Sequence, residues 1–163
     1  MTRTRFRLWA FLPATMAILV TGLLSFIFSR GVFTSIEDTP TAVYVFAGVF
    51  LFVWTWLVFG ELRTKVISVK IGKDLITTTN FLGLGAKRTF DFKEFEGFIT
   101  SLLPSKSGTY EYLYLIKDNK KVIKLSEFYH KNYFECKQVL TNRVKFMGNK
   151  PFSMLTELRE IYQ

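Results

Sequence analysis

The sequence predicts an α+β protein in which a two-helix transmembrane hairpin precedes a domain of consecutive antiparallel strands that ends in an amphipathic helix. Two stretches of 22 residues, 8–29 and 39–60, contain no Asp, Glu, Lys, Arg or His. At about 1.5 Å per residue, each helix would reach about 33 Å, against a hydrocarbon core of about 30 Å. From residue 65 onward the apolar residues alternate with polar ones, as in strands, until a helical period returns near residue 132.

The charges beside the two spans predict their orientation. Three arginines precede the first span and two cations follow the second, whereas Glu37 and Asp38 oppose Arg30 in the connection. By the positive-inside rule, both termini are expected to be cytoplasmic and the connection is expected to lie outside. Three tryptophans fall toward the same ends, as in an aromatic belt. The predicted interface anchors are Arg3, Arg5, Arg7, Trp9, Trp54, Trp56, Arg63 and Lys65.

A cleaved signal peptide is the alternative for the first span, because a basic start before an apolar run fits one. However, the apolar core of a signal peptide is about 7–15 residues long. Residues 25–30 also lack a cleavage site of the small-x-small type. The sequence therefore favours an uncleaved anchor, and residues 1–62 are assigned to the hairpin.

Residues 63–148 are predicted to form the soluble domain, with six strands and one helix. The strands are expected at 67–71, 75–81, 87–92, 95–102, 110–117 and 122–125. The helix is expected at 132–147, with Asn132 and Glu135 as a capping pair and Gly148 as the C-cap. The tail, residues 149–163, is compatible with a short helix at 153–162.

Few residues point to catalysis, so no catalytic, metal or cofactor-binding residue is predicted. His130 is the only histidine and is expected to be exposed in the connection before the helix. Cys136, the only cysteine, lies on the apolar stripe of the helix, which indicates a buried, inert thiol. The nearest acidic cluster is Asp91, Glu94 and Glu96; with no histidine nearby, a solvated strand end is favoured over a metal site.

The chain has a net charge of +9, which indicates an anionic partner or a solvated basic surface. For a membrane-anchored protein, the nearest polyanion is the lipid surface. Nucleic acid is not a predicted partner, because the alternating Tyr110, Tyr112 and Tyr114 are more typical of a half-buried strand than of a base-stacking platform. The candidate lipid contacts are Lys70, Lys73, Lys87 and Arg88, provided that they share one face.

Consecutive antiparallel strands followed by one amphipathic helix resemble a pleckstrin-homology-like (PH-like) barrel. The placement after two spans resembles the bacterial membrane-anchored PH-like proteins. The resemblance is carried by the strand pair 65–81, the segment 88–95, the hairpin 112–125 and the helix 132–144. It implies a barrel with the helix at one end. The basic signature of phosphoinositide-binding PH domains is absent from the sequence.

The functional hypothesis is a non-enzymatic interaction or scaffold protein, or an accessory subunit, that presents a PH-like domain at the cytoplasmic face. A lipid-headgroup sensor with a basic face is the alternative, and an enzyme built around His130 is a third. The expected partners are membrane lipids and either another membrane protein or a second copy of the chain.

Overall fold

The computed structural model describes residues 1–29, 40–105 and 108–151, and has an α+β architecture. A 3₁₀ turn, Leu8–Phe11, leads into α1 (Leu12–Ser29), and α2 (Thr41–Thr55) continues as a π-helix over Trp56–Leu62. The two helical stretches are each long and apolar enough to cross a membrane. The predicted hairpin connection, 30–39, and the tail helix, 153–162, lie outside the described residues.

The two apolar helices contact each other through a polar bridge as well as apolar side chains. The Trp54 indole N–H donates to the Thr21 hydroxyl at 2.9 Å, and that hydroxyl donates to the Ala17 carbonyl at 2.8 Å. Further along, the Arg63 N–H reaches the Val58 carbonyl, five residues back, at 3.1 Å. The wider π turn therefore ends the second helix where the domain begins.

The first sheet is antiparallel and has the order β1-β2-β3-β4. Its strands are β1 (Thr2–Arg3), β2 (Ser68–Ile71), β3 (Leu75–Thr79) and β4 (Lys87–Asp91). Val69, Ile71 and Ile76 point inward and are buried. The residues that precede the first helix thus supply an edge strand of this sheet.

The second sheet has the order β7-β6-β5-β8. Its strands are β5 (Gly97–Ser105), β6 (Gly108–Lys117), β7 (Lys120–Ser126) and β8 (Phe146–Asn149). The first three are antiparallel, whereas β8 runs parallel to β5. The predicted turn between β6 and β7 is present, and Asp118 and Asn119 have φ of 51° and 57° there, as a type I′ turn requires.

The core lies between the two sheets and α3 (Tyr133–Thr141), and all three contribute apolar side chains to it. Cys136 is 0% exposed in this core, which confirms the predicted burial of its thiol. Burial raises the pKa of Cys136 to about 11, so the nucleophilic thiolate is disfavoured. The core residues are Ile67, Val69, Ile71, Ile76, Phe95, Phe98, Leu113, Leu115, Ile123, Leu125, Tyr133, Cys136, Leu140 and Val144.

The described residues do not form the closed barrel that the resemblance implies; six strands were predicted, and eight strands are present in two separate sheets. Two of these strands, β1 and β8, come from outside the predicted strand region. Both edge strands carry cationic side chains: Lys87 and Arg88 lie on β4, and Lys120, Lys121 and Lys124 lie on β7. Cations along an edge disfavour pairing with another strand, and here both facing edges carry them.

The predicted end and C-cap of the C-terminal helix are wrong, because the helix ends at Thr141 and Gly148 lies in β8. Asn132 is the N-cap residue, as predicted, and its Nδ2 lies 3.5 Å from Glu135 Oε2, but its side chain makes no capping bond to the helix backbone. Instead its Oδ1 accepts the Arg5 N–H at 2.7 Å and its Nδ2 donates to the Arg3 carbonyl at 2.9 Å. The amide side chain thus imitates a peptide group and binds the N-terminal segment.

Candidate anion-binding site

The segment that precedes the first helix is built into the domain. The Thr4 N–H donates to the Val69 carbonyl at 2.9 Å, and the Val69 N–H donates to the Thr4 hydroxyl at 2.9 Å. Thr4 is buried, and Phe6 forms a bridge with His130 further along. The first helix therefore starts directly from the body of the domain.

The second helix is joined to the domain at the same end. The Tyr129 hydroxyl donates a hydrogen bond to the Glu61 carboxylate at 2.7 Å, and Glu61 also pairs with the Lys65 Nζ at 2.6 Å. Burial, and then the Glu61 charge, raise the pKa of Tyr129 far above its usual range, so the phenol stays a neutral donor. The buried residues here form what we call the junction cluster: Ala10, Ala17, Leu62, Val66 and Tyr129.

An open cavity of about 460 Å³ lies between β4 and β7, next to the end of the second helix. We call it the basic cavity, because five cationic side chains and no carboxylate are found among its described lining residues. The lining residues are Arg63, Thr64, Ile67, Thr78, Asn80, Arg88, Tyr114, Lys120, Lys121, Val122, Ile123 and Lys124. Like charges gathered around one cavity attract an anion.

Local structure explains how two arginines reach the basic cavity. Arg63 follows the π-helix directly, where the Thr64 hydroxyl donates to the Gly60 carbonyl and continues the helical turn. Arg88 stands on β4 opposite Thr78, which is buried on the inner face of the first sheet. Directly opposed strand residues share a face, so Arg88 points toward the cavity.

The lysines of β7 are held by tyrosines of β6. The Lys121 Nζ lies 4.1 Å from the Tyr114 ring centroid, and the Lys124 Nζ lies 4.6 Å from that of Tyr112. Such cation–π contacts orient an ammonium group over the ring. A bulge between Leu115 and Ile116 shifts the pairing with β7, so that Lys121 pairs with Ile116 and Lys124 with Tyr114.

The structure does not bring the four predicted lipid contacts together. Arg88 lines the basic cavity, but Lys70 and Lys87 lie on the opposite face of the first sheet. Neighbouring residues of a strand point to opposite faces, which separates Lys87 from Arg88. Lys73 lies in the turn at the far end of the sheet.

Lys73 lines a second cavity, of about 340 Å³, whose lining has mixed charge. Arg143 donates there to the carbonyls of Gly72 and Lys73, at 2.6 and 2.7 Å, and its guanidinium lies 5.1 Å from the Phe92 ring centroid. These contacts of Arg143 therefore hold the turn after β2 against the end of α3. Asp74 and Asp91 also line this cavity, which makes it a poorer anion site than the basic cavity.

Sequence reasoning missed the three lysines of β7, Lys120, Lys121 and Lys124, and assigned Arg63 only to the membrane interface. The closely spaced lysines were visible in the sequence as Lys120-Lys121-Val122-Ile123-Lys124. Their direction was not, because it depends on the bulge opposite them.

The predicted interface anchors differ in their surroundings. Trp9 is 60% exposed, whereas Trp54 is hydrogen-bonded to Thr21. Trp56 is half-buried in the π-helix. Arg63 lines the basic cavity and Lys65 pairs with Glu61; the backbones of Arg3, Arg5 and Arg7 are bonded to the domain.

The prediction that His130 is exposed is wrong, because its side chain is 0% exposed. Its Nε2 lies 2.8 Å from the Ile67 carbonyl oxygen, and its Nδ1 lies 2.9 Å from the Ser126 carbonyl oxygen and 3.2 Å from the Ser126 amide nitrogen. Both ring nitrogens are therefore held by backbone groups. The Phe6 ring covers it at 5.5 Å, so His130 ties the N-terminal segment, β2 and the end of β7 together.

Burial lowers the pKa of His130, which makes domain stability depend on pH. The unfolded state, with a histidine pKa of about 6.5, binds the proton more readily than the folded state. Stability is therefore complete above about pH 6.5 and falls as the pH drops below that value. We expect a lower urea midpoint at about pH 5.5 than at about pH 7.5 for the full chain in neutral detergent.

His130→Gln is the matched variant, because its amide can donate to Ile67 and accept from Ser126 but does not titrate. It should lose most of the difference in midpoint between the two pH values. An unchanged difference would mean that another group carries the pH dependence.

The three acidic residues of the predicted cluster each have a separate local partner. Asp91 accepts the Lys93 N–H at 2.9 Å, and Glu94 accepts the Asp91 N–H at 2.7 Å, which makes a capping box. Glu94 also pairs with Lys117, and Glu96 accepts the Asn119 N–H at 2.9 Å. Across the described ranges, no three His, Cys, Asp or Glu side chains converge as metal ligands.

No protein-family model, curated protein or solved structure matches the chain.

Proposed function

We propose that the chain is a membrane-anchored binding module, a scaffold or accessory element rather than an enzyme, whose basic cavity takes a phosphate-bearing lipid headgroup. The observation that supports the proposal is the position of the cavity. Arg63 lines it and directly follows Leu62, the last residue of a helix long enough to span a membrane. A headgroup at the bilayer surface would thus lie beside the cavity.

The charges of the site favour an anion with phosphate oxygens. The planar guanidinium groups of Arg63 and Arg88 suit bidentate contacts with phosphate. Lys120, which is exposed and also lines the cavity, adds attraction that needs no fixed geometry. Near an anionic leaflet, each lysine or arginine contributes about 1 kcal/mol of attraction.

We place the domain on the cytoplasmic side of a bacterial inner membrane. The support is the positive charge that flanks the domain-side ends of both helices, from Arg3, Arg5, Arg7, Arg63 and Lys65. The N-terminal segment pairs with the domain, so both must lie on one side of the bilayer.

A double variant, Arg63→Gln with Arg88→Gln, tests the proposal. We expect the full chain, purified in neutral detergent, to bind short-chain phosphatidylglycerol at least tenfold more weakly, because each lost charge-assisted hydrogen bond is worth roughly 1.5–3 kcal/mol. Native mass spectrometry of the lipid-bound fraction measures the effect, with phosphatidylcholine as the lipid control.

The control variant, Lys73→Gln with Lys93→Gln, removes the same charge at the second cavity. It should leave the affinity for phosphatidylglycerol nearly unchanged. Equal losses from both double variants would show that net charge, and not the basic cavity, retains the lipid.

A further inference from the structure

We infer that the loop of residues 80–85 is an additional membrane attachment, which inserts Leu84 into the lipid interface. Leu84 is 89% exposed, more than any other large apolar side chain among the described residues from 63 to 151. The inference rests on the membrane placement proposed above, but not on ligand binding in the basic cavity.

The loop lies at the end of the domain from which the two helices leave. Phe81 and Leu82 pack against the junction cluster, which contains Ala10 from the first helical stretch and Leu62 from the second. The Leu82 N–H donates to the Val66 carbonyl at 2.9 Å. A bilayer that holds the helices would therefore meet this loop.

The loop has a strained backbone conformation that packing and hydrogen bonds hold in place. Phe81 and Leu82 have φ of 51° and 59°, in the left-handed region that non-glycine residues avoid. The Gly85 N–H closes the turn onto the Asn80 carbonyl at 2.9 Å. A Cβ on Gly85 would come 2.7 Å from the Phe81 ring, so the tight turn needs glycine. Strained residues of this kind persist where the packing around them holds one geometry, and here that geometry leaves Leu84 outside.

Cationic side chains lie near the loop that carries Leu84. Lys87 follows it on β4 and is exposed. The Arg3 guanidinium lies close to Gly83, 3.9 Å from where a Cβ would stand. An apolar side chain flanked by cations matches an anionic lipid surface, in which the Leu enters the acyl boundary while the cations stay among the headgroups.

Depth-dependent quenching in the full chain tests this inference. Three single variants, Leu84→Cys, Leu75→Cys and Ile18→Cys, are labelled with a nitrobenzoxadiazole dye and reconstituted into equimolar phosphatidylglycerol and phosphatidylcholine. Cys136 is fully buried, so the unsubstituted chain serves as the labelling blank. Leu75 is the matched control, because it is 50% exposed at the opposite end of β3. Ile18, 70% exposed on α1, reports the membrane placement.

We expect doxyl lipids with a shallow label to quench the dye at position 84 several-fold more than at position 75, and deep doxyl lipids to quench it at position 18. Equal quenching at 84 and 75, with position 18 quenched, would overturn the loop inference alone. Position 18 unquenched would overturn the membrane placement as well. Protection of position 84 from both doxyl lipids and aqueous iodide would mean that a protein surface, and not lipid, covers Leu84.

Discussion

Leu140→Ala is expected to lower the free energy of unfolding of the domain by about 2–5 kcal/mol, the usual cost of truncating a fully buried leucine. Leu140 is 0% exposed and lies in the core between α3 and both sheets. Because small domains have only about 5–15 kcal/mol of stability, this single change removes a large part of it. Urea unfolding of the full chain in neutral detergent measures the loss of unfolding free energy. Hydrogen exchange of the β6 amides serves as the probe of domain unfolding.

Gln138→Ala is the control on the same helix, because Gln138 is exposed and alanine favours helix at least as well. It should change the unfolding midpoint very little. If both variants lost the same stability, α3 would not cover the core as described.

Gly97→Ala is expected to destabilise the domain by about 1–3 kcal/mol or more, the usual cost of overpacking. A Cβ at Gly97 would overlap the Met147 side chain and come 2.7 Å from the Lys145 carbonyl oxygen. That carbonyl accepts the Phe98 N–H at 2.9 Å, so moving it away breaks the join between β5 and β8. Hydrogen exchange at Phe98 and Lys150 should rise before that of the remaining sheet.

Two comparisons identify the cause of the Gly97→Ala effect. Gly48→Ala places a methyl group where nothing lies within 4 Å, and should not destabilise the domain. Adding Met147→Ala to Gly97→Ala should restore only part of the stability, because the Lys145 carbonyl remains in place. Complete recovery would mean that the Met147 side chain alone causes the loss.

The spacing of apolar residues in the sequence made much of the fold predictable. The apolar helices, the strands around Val69 and Leu113, and the burial of Cys136 all follow from side chains that repeat with the period of their element. Turn chemistry placed the β6–β7 connection, since Asp118 and Asn119 tolerate positive φ.

Features that depend on backbone pairing between distant segments produce no such pattern in the sequence, so they could not be predicted. The pairing of Thr2 with Ile71 and the parallel join of β8 to β5 use backbone groups, which every residue has. His130 is buried for the same reason, since its partners are the backbone groups of Ile67 and Ser126. The basic cavity exists because the two sheets are separate and because a bulge shifts the pairing of β6 with β7. Neither feature can be predicted from local sequence.

The pairing of residues 2–6 with the domain has a consequence for biosynthesis. These residues emerge from the ribosome well before Val69 and Asn132, their hydrogen-bond partners in the folded domain. In the membrane arrangement proposed above, the N-terminal segment cannot reach the domain until both helices are inserted in the right orientation, and β2 keeps an open edge until then. Open edges are prone to aggregation. We therefore expect that a chain whose first helix is inserted in the wrong orientation lacks the pairing of β1 with β2. Completion of the first sheet would then depend on correct insertion.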